Sequence, residues 1–295
     1  MPRIALVTYD PRPEPSLDRD LPVLREALTA AGAEVDVVHW DDAAVDWAGY
    51  DLALIRSTWD YSWRTAEFLA WVEKCGSVTR LANPAEVVRW NTDKRYLGEL
   101  ARAGVPVVPT LYVAPGEEAD LPGDREYVVK PTSGAGARYA ARYTPDRHDT
   151  AVAHLARLHE EGFTAMVQPY VRSIDSQGER ALQFFGGRLL HASRKQAVLA
   201  PGTAFDADKV AHPGLEPWTP TPAELAVAER ALAAVPDAAE VLYARVDLVD
   251  GEDGQPQVME LELVEPNLFL QLHPGSVPRV VEAVLAAAGA SQGHP

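Results

Sequence analysis

The sequence predicts an α/β protein: a parallel α/β sheet at the N-terminus, then an α+β part built largely from hairpins. Two patterns carry that expectation. Apolar strand-like runs alternate with a helical repeat at Arg3–Thr8, Leu21–Ala31, Ala33–Trp40 and Tyr50–Ile55, as parallel sheets require. Further along, Gly186-Gly187 and Asp253-Gly254 separate pairs of alternating runs, which is hairpin chemistry. At 295 residues the chain has room for one large domain or two to three small ones, and for a sizeable core.

Taken in order, the run RIALVT (Arg3–Thr8) is a strand that ends in a polar loop, residues 9–20. Leu21, Leu24, Leu28 and Ala31 share one helical face, and Gly32 stops that helix. The strands Ala33–Trp40 and Tyr50–Ile55 follow, the second leading into RSTWDY, Arg56 to Tyr61. Ligands of such sheets bind beyond the carboxyl ends of strands, so Thr8–Asp10 and Arg56–Tyr61 share a candidate ligand edge. There Arg56 and Asp60 suit the carboxylate and amine of a zwitterion, with Ser57 and Thr58 as hydrogen-bonding neighbours; the alternative is that the aromatic residues simply pack the loop. Next come a helix over Thr65–Lys74, a strand over Ser77–Ala82, and a helix from about Ala85. After RWNTDK (Arg89–Lys94) a helix runs over Tyr96–Ala103, capped by Asn91 or Thr92. Val105–Val113 reads as extended.

Glu126–Lys130 is a strand that ends on a lysine and runs into PTSGAGA, Pro131 to Ala137. A lysine before a Gly/Ser/Thr loop suits phosphate, with backbone N–H groups as the cradle. It is neither a P-loop nor a dinucleotide fingerprint, because the lysine precedes the glycines and the third glycine is missing; an ordinary flexible turn is the competing reading. Tyr139–Tyr143 is a return strand. Asp149–Glu161 is a helix, Ala165–Val171 a strand, and residues 172–179 a connection. Arg180–Phe185 and Arg188–Arg194 form a hairpin around the two glycines. Residues 195–217 are polar and irregular, a loop suited to lie near a site. Helices over Pro222–Ala234 and Pro278–Ala288 flank the last hairpin, and residues 289–295 are expected to fray.

That last hairpin, Tyr243 to Phe269, carries the densest charge pattern. If Asp253-Gly254 is a two-residue turn, Asp247 lies opposite Glu260 and Arg245 opposite Glu262, all on one face. Oxygen-only carboxylates beside one arginine suit Mg²⁺ or Mn²⁺, which join carboxylates to substrate phosphates; the alternative is a solvated acidic face.

Composition removes several classes. A net charge of −16 argues against nucleic acid as a partner. The single cysteine, Cys75, excludes an internal disulfide framework and a multi-cysteine metal site, and points to a cytoplasmic protein. No run has the length of a membrane span, and MPRIALVTYD is too short an apolar run for a signal peptide. The eight histidines show no metal-ligand spacing, and no nucleophile elbow is present.

The order of the motifs is more informative than any one of them. It runs from Lys94 to Lys130 with Gly134 and Gly136, to Gln168-Pro-Tyr-Val171, to Arg194-Lys195 on a return strand, and to the Arg-x-Asp…Glu-x-Glu hairpin. This series, over residues 83–275, resembles the ATP-grasp superfamily of carboxylate–amine ligases, in its glutathione-synthetase-like branch. RSTWDY, RWNTDK and ELELVEP resemble the ATP-dependent cyclo-ligases of cycloserine biosynthesis, which act on O-ureido-D-serine. The resemblance implies an ATP-grasp fold with an N-terminal Rossmann-like pre-ATP-grasp domain (1–90), a central subdomain with a glycine-rich lid (91–165) and a C-terminal subdomain with the metal site (166–290). It implies that Lys94 and Lys130 contact ATP phosphates and that Ser133, Gly134 and Gly136 belong to the lid. Gln168, Tyr170 and Val171 would read adenine, with Asp175 or Glu179 near the ribose. Asp247 and Glu260 would hold Mg²⁺ (or Mn²⁺). The family's third ligand is an asparagine, whose place Glu262 takes here; Asn267 is the other candidate. Lys195, Lys130 and Arg245 would be catalytic, and Arg56, Ser57, Thr58, Asp60 and His273 would meet an amino-acid-like substrate. Oligomeric state is left open by the residues, and a homodimer is common in the family that the chain resembles.

Overall fold

The computed structural model describes residues 1–11, 18–207 and 214–290. The first sheet is parallel. It contains β1 (Arg3–Thr8), β2 (Glu34–His39), β3 (Leu52–Ile55) and the short β4 (Leu81–Ala82), in the order β2-β1-β3-β4. Its central strands are apolar on both faces because both are covered. Ile4, Leu6, Leu52 and Leu54 meet Leu24 and Leu28 of α1 (Asp20–Ala30). Ala5, Val7, Ala53 and Ile55 meet Trp40 and, from α2 (Thr65–Gly76), Phe68, Trp71 and Val72. The Asp18 carboxylate starts α1 by accepting the N–H groups of Asp20 (2.8 Å) and Leu21 (3.1 Å).

Two short helices follow, α3 (Ala85–Asn91) and α4 (Tyr96–Arg102). The second sheet contains β5 (Leu111–Val113), β6 (Tyr127–Pro131), β7 (Ala141–Tyr143) and, after α5 (His148–Glu160), β8 (Ala165–Pro169). Its order is β5-β8-β6-β7, all antiparallel. After α6 (Ser173–Gln177) comes the third sheet, of β9 (Glu179–Phe185), β10 (Arg188–Lys195), β11 (Leu215–Trp218) and, beyond α7 (Pro222–Ala233), β12 (Tyr243–Asp250) and β13 (Pro256–Glu262). Its order is β11-β10-β9-β12-β13. One face of this sheet (Leu182, Phe184, Ala192, Val246, Leu248, Leu261) packs on α4 and α7 as the largest core cluster. The terminal helix α8 (Val277–Gly289) returns to the first sheet, where Val280 and Val284 join Leu24 and Leu28.

Several expectations give way to local physics. Residues 77–80 do not pair as a strand, because Val78 and Thr79 donate back to the Cys75 carbonyl and prolong the end of α2. Asn91 and Thr92 do not cap α4. Asn91 instead holds β13, donating to the Leu261 carbonyl (2.8 Å) and accepting the N–H of Leu263 (2.7 Å), and Thr92 bonds Arg89. Residues 172–179 contain the helix α6, and the irregular segment 195–217 ends in β11. The rest of that segment, at 208–213, and the polar and terminal stretches at 12–17 and 291–295 lie outside the described residues. A unit boundary at residue 166 would cut β8, whose five residues all pair in the second sheet.

The acidic hairpin closes differently from the two-residue turn read in its sequence. Its loop is five residues long, 251–255, with Gly251 N–H donating to the Gln255 carbonyl (2.9 Å). Near the loop Asp250 faces Pro256 and Leu248 faces Val258; a bulge at Met259 then shifts the register by one. Beyond the bulge Asp247 lies opposite Glu260 and Arg245 opposite Glu262, the pairing expected from sequence.

Candidate active site

Strand periodicity places alternate residues of the third sheet on its polar face. Three cross-strand rows result. Lys195 pairs with Glu179; Ser193, Ala181, Asp247 and Glu260 form the next row; His191, Gln183, Arg245 and Glu262 form the third. Asp247 is fully buried at the centre. Arg245 clasps it with two bonds, Nε to Oδ1 at 2.8 Å and Nη2 to Oδ2 at 2.9 Å. Lys195 Nζ reaches the same carboxylate at 2.6 Å and also pairs with Glu179. Arg245 also donates to Glu262, and Lys94 Nζ lies 3.3 Å from Glu260. Gly178 permits this assembly. It has φ +72°, and a Cβ there would lie 2.5 Å from the Lys195 carbonyl, so only glycine lets β9 start against the end of β10.

Opposite this face stand Lys94, in the turn before α4, and Lys130, near the end of β6. Lys94 Nζ donates to the Gly134 carbonyl at 2.6 Å, tying the glycine-rich loop to the site. Gly136 turns that loop with φ +62°. Ser133 Oγ lies 3.4 Å from Thr65 Oγ1 of the first unit. The Lys130 side chain makes no hydrogen bond or ion pair among the described residues. Burial and the nearby Lys94 and Lys195 push its pKa below the lysine value, although Glu260 and Glu179 oppose this. A half-buried ammonium with no anion of its own is placed to take one from a ligand.

Burial opposes ionisation of the carboxylates, and cations decide which of them stay charged. Arg245 and Lys195 overcome burial at Asp247 and hold its pKa below the carboxylate range; Lys94 and Lys130 do the same for Glu260. Glu262 competes for an arginine already engaged by Asp247, and burial with the neighbouring carboxylates lifts it to about 8. Burial chiefly lifts Glu179 and Glu265 to about 7 each. Lys195 is disfavoured by burial, yet Asp247 and Glu179 raise its pKa above the ordinary value.

The expected substrate residues divide. The carboxyl edge of the first sheet does bring Thr8 and Ser57 together, with their hydroxyls 2.8 Å apart. Arg56 is buried, and its Nη2 donates to the Pro266 carbonyl at 3.1 Å. Its Nε and Nη1, and the Thr58 hydroxyl, are enclosed and have no partner among the described residues. Asp60 is not beside Arg56 as a second clamp: it accepts from Trp40 Nε1 (2.8 Å) and Arg64 (3.1 Å), which spends its carboxylate on the fold. His273 Nε2 bonds Ser193 Oγ (2.8 Å) and stacks on His191 with centroids 4.0 Å apart. Burial lowers both histidines, His191 to about 4.

Toward the other end, Gln168 Nε2 donates to Thr110 (2.9 Å), and the Tyr170 ring lies under the Arg142 guanidinium at 3.4 Å. The Val171 carbonyl accepts the N–H of Ile174 at the start of α6. Asp175 and Glu179 are not interchangeable. Asp175 binds Arg142 (3.2 Å) and the Tyr170 hydroxyl (2.5 Å), while Glu179 lies on the charged face with Lys195. Asn267 presents its carbonyl to Gln183 (2.7 Å) and Arg245 (3.4 Å).

Sequence reading missed the residues that hold the 264–270 loop. Asp20 accepts the N–H groups of Leu268, Phe269 and Leu270 at 2.6, 3.1 and 2.8 Å. Tyr243 donates to the Val264 carbonyl, and Gln183 to that of Asn267. A lone acidic residue at a helix start reads as a cap, so only the long-range contact reveals this role. Cys75 is buried, its thiol pushed up to about 12 by burial, which removes it as a nucleophile.

Residues 4–83 match the family model described as the N-terminal domain of D-cycloserine synthetase DcsG. The cycloserine biosynthesis protein DcsG of Streptomyces lavendulae is 40% identical over 287 residues, covering 91% of this chain and 93% of that protein. The chain belongs to the D-cycloserine synthetase family. The crystal structure of D-cycloserine synthetase DcsG superposes with a TM-score of 0.85 at 38% identity, covering 97% of this chain and 99% of that one. The D-alanine–D-alanine ligase of Bacillus anthracis, solved in complex with ATP, superposes with a TM-score of 0.67 at 15% identity, covering 98% and 97% of the two chains. This shared architecture is the ATP-grasp fold. As a D-cycloserine synthetase family member with that fold, the chain is an ATP-dependent ligase. No helix among the described residues is long and apolar enough to cross a membrane.

Proposed function

We propose that this ligase activates the carboxylate of O-ureido-D-serine with ATP and closes it on a nitrogen of the same molecule, giving D-cycloserine. The observation that carries the phosphate chemistry is Lys130: a half-buried ammonium with no side-chain anion among the described residues, near a sheet of carboxylates already matched to Lys195, Arg245 and Lys94. The family relationship supports the substrate.

In this reading the substrate carboxylate attacks the γ-phosphate, ADP leaves, and an acyl phosphate forms. Lys94, Lys130 and Lys195 supply fixed positive charge to the transferring phosphoryl group, and positioning with electrostatics does most of the work. Arg245 stabilises the acyl group as the nitrogen displaces phosphate. The 133–137 loop covers the site and excludes water, which would otherwise hydrolyse the acyl phosphate. Arg56 and Thr58, whose donors have no partner among the described residues, hold the substrate from the N-terminal side. Gln168, Tyr170 and Val171 line the adenine end, with Arg142 and Asp175 around them.

Mg²⁺ fits the donor set in a particular way. No group of three or more His, Cys, Asp or Glu among the described residues forms a ready cage. Glu260 and Glu262 remain about a quarter exposed on one face (26% and 23%), whereas Asp247 is engaged by two cations. Oxygen ligands of this kind hold Mg²⁺ together with substrate phosphates. When bound, the ion neutralises charge on those phosphates. Glu262 is taken as the third carboxylate of this reading, because it shares one face with Asp247 and Glu260. In the same scheme residues 1–90 carry the substrate edge, 91–165 the lid with a sheet that runs on to Pro169, and 166–290 the charged face.

Incubation with ATP, Mg²⁺ and O-ureido-D-serine, with mass detection of product and measurement of ADP, tests the proposal. D-cycloserine formed in step with ADP is expected. ADP release with another amino acid and none with O-ureido-D-serine would refute the substrate while keeping the ligase.

A further inference from the structure

Gln183 has no part in the scheme above, yet it lies within it. It sits on β9 as the cross-strand partner of Arg245 on one side and His191 on the other. The side chain is fully enclosed, at 0% exposure. Its orientation follows from one contact: a carbonyl accepts only from a donor, so the nitrogen is the end facing the Asn267 carbonyl, at 2.7 Å. That leaves Oε1, which is buried and has no partner among the described residues. A buried amide oxygen without a donor costs stability, and such atoms mark places where a bound group completes the bonding.

Two neighbours define what that group is. Arg245 donates to the same Asn267 carbonyl, at 3.4 Å, so the Gln183 amide lies beside the side chain assigned to the acyl group. Arg56 donates to the adjoining Pro266 carbonyl and keeps Nε and Nη1 enclosed with no partner among the described residues. Two consecutive carbonyls of one loop thus anchor an unsatisfied pair of donors and an unsatisfied acceptor. The complement is a small molecule that brings a carboxylate and an N–H together. A neutral amide is suited to this place, because a further carboxylate would join Asp247 and Glu262 in competing for Arg245.

We infer that Gln183 is a specificity-determining residue whose Oε1 accepts an N–H of the amino-acid-like substrate, holding that end of the molecule beside Arg245. The inference rests on the ligase reading. A site built to satisfy a substrate N–H also rejects molecules that lack it, because the oxygen is then left bare.

The test uses the full-length enzyme, ATP, Mg²⁺ and O-ureido-D-serine, with wild type beside Gln183→Met. The substitution keeps the volume and removes the acceptor. A KM for O-ureido-D-serine raised about 10-fold is expected, with the KM for ATP and the melting temperature near wild type. An unchanged substrate KM overturns the inference and assigns the oxygen to an enclosed water. A joint loss of ATP affinity and melting temperature also overturns it, because that marks a structural role. Should the methionine variant not fold, the wild-type enzyme decides with an analogue of O-ureido-D-serine in which a methylene replaces the N–H: binding about 10-fold weaker than that of O-ureido-D-serine supports the inference, and equal binding overturns it. No ADP release by wild type on this substrate overturns the underlying reading and this inference together. Normal wild-type turnover with an unaffected variant overturns the inference alone.

Discussion

The two sheets that flank the site neutralise themselves differently. The five-stranded sheet carries both signs on its polar face, and Asp247, Arg245, Lys195, Glu179 and Glu262 are each paired with a neighbour. The antiparallel four-stranded sheet presents Lys130 with no side-chain partner among the described residues, opposite the neutral Met166 on the next strand. The first face holds its charges in place before any ligand arrives. The second leaves one charge waiting. Structure and function are therefore coupled on one sheet and separable on the other.

That difference sets the largest expected effects. Asp247→Ala takes from the buried Arg245 and Lys195 the carboxylate they share, leaving them only Glu262 and Glu179, so it should abolish turnover and also destabilise the fold by about 3–5 kcal/mol. Survival of turnover in this variant would remove Asp247 from the site. Lys195→Met should behave alike, since Asp247 and Glu179 lose a shared cation. Lys130→Met should instead separate the two readouts. Turnover should fall about 100- to 1,000-fold, the effect of removing one preorganised electrostatic partner. The melting temperature should change little, because Lys130 makes no side-chain hydrogen bond or ion pair among the described residues. Equal destabilisation by Lys130→Met and Lys195→Met in thermal scans would break the comparison.

The two sides were not equally legible in the sequence. Alternation along β12 and β13 brought Arg245, Asp247, Glu260 and Glu262 to one face, and their pairing was correct although the turn was not. A longer loop shifted the register, and the bulge at Met259 shifted it back; a bulge leaves no strong mark in one sequence. The first sheet was legible because its strands are covered on both faces and so read as apolar runs. Asp60 misled because a carboxylate four residues from Arg56 looks like half of a zwitterion clamp. Its true partners, Trp40 and Arg64, are fixed by the packing of β2 and α2. The grip of Asp20 on residues 268–270, across 248 to 250 positions of chain, has no local signature at all.

Glu262 sharpens the comparison through pH. Its pKa rises from 4.5 to about 8 on folding, chiefly by burial. The stability this contributes is full below about 4.5 and is lost as pH rises through about 8. Glu179 and Glu265, near 7, act in the same direction. The nucleotide-free protein should therefore lose melting temperature between pH 6 and pH 9. Glu262→Gln imitates the protonated carboxyl, so it should flatten that fall and melt higher than wild type at the upper end. Lower melting of this variant throughout would mean that the bond to Arg245 outweighs burial, and that this face is neutralised even at its rim.

The smallest effect lies where the lid touches the first unit. The Arg138 guanidinium stands 4.3 Å over the ring of Trp63, which is 53% exposed, so the contact adds little to the fold. An exposed cation–π contact contributes about 0.5–1 kcal/mol, enough to change the share of closed lid about two- to five-fold. Lys94 holds the same loop at Gly134, so the latch is a second tether and not the main one. Trp63→Ala should leave melting unchanged and raise the ADP released per product formed, as water reaches the acyl phosphate more often. Arg138→Ala should do the same, and the double variant should add nothing, since either change alone removes the whole contact. Additive effects of the two would mean that each side chain acts elsewhere, with the lid held by Lys94 alone.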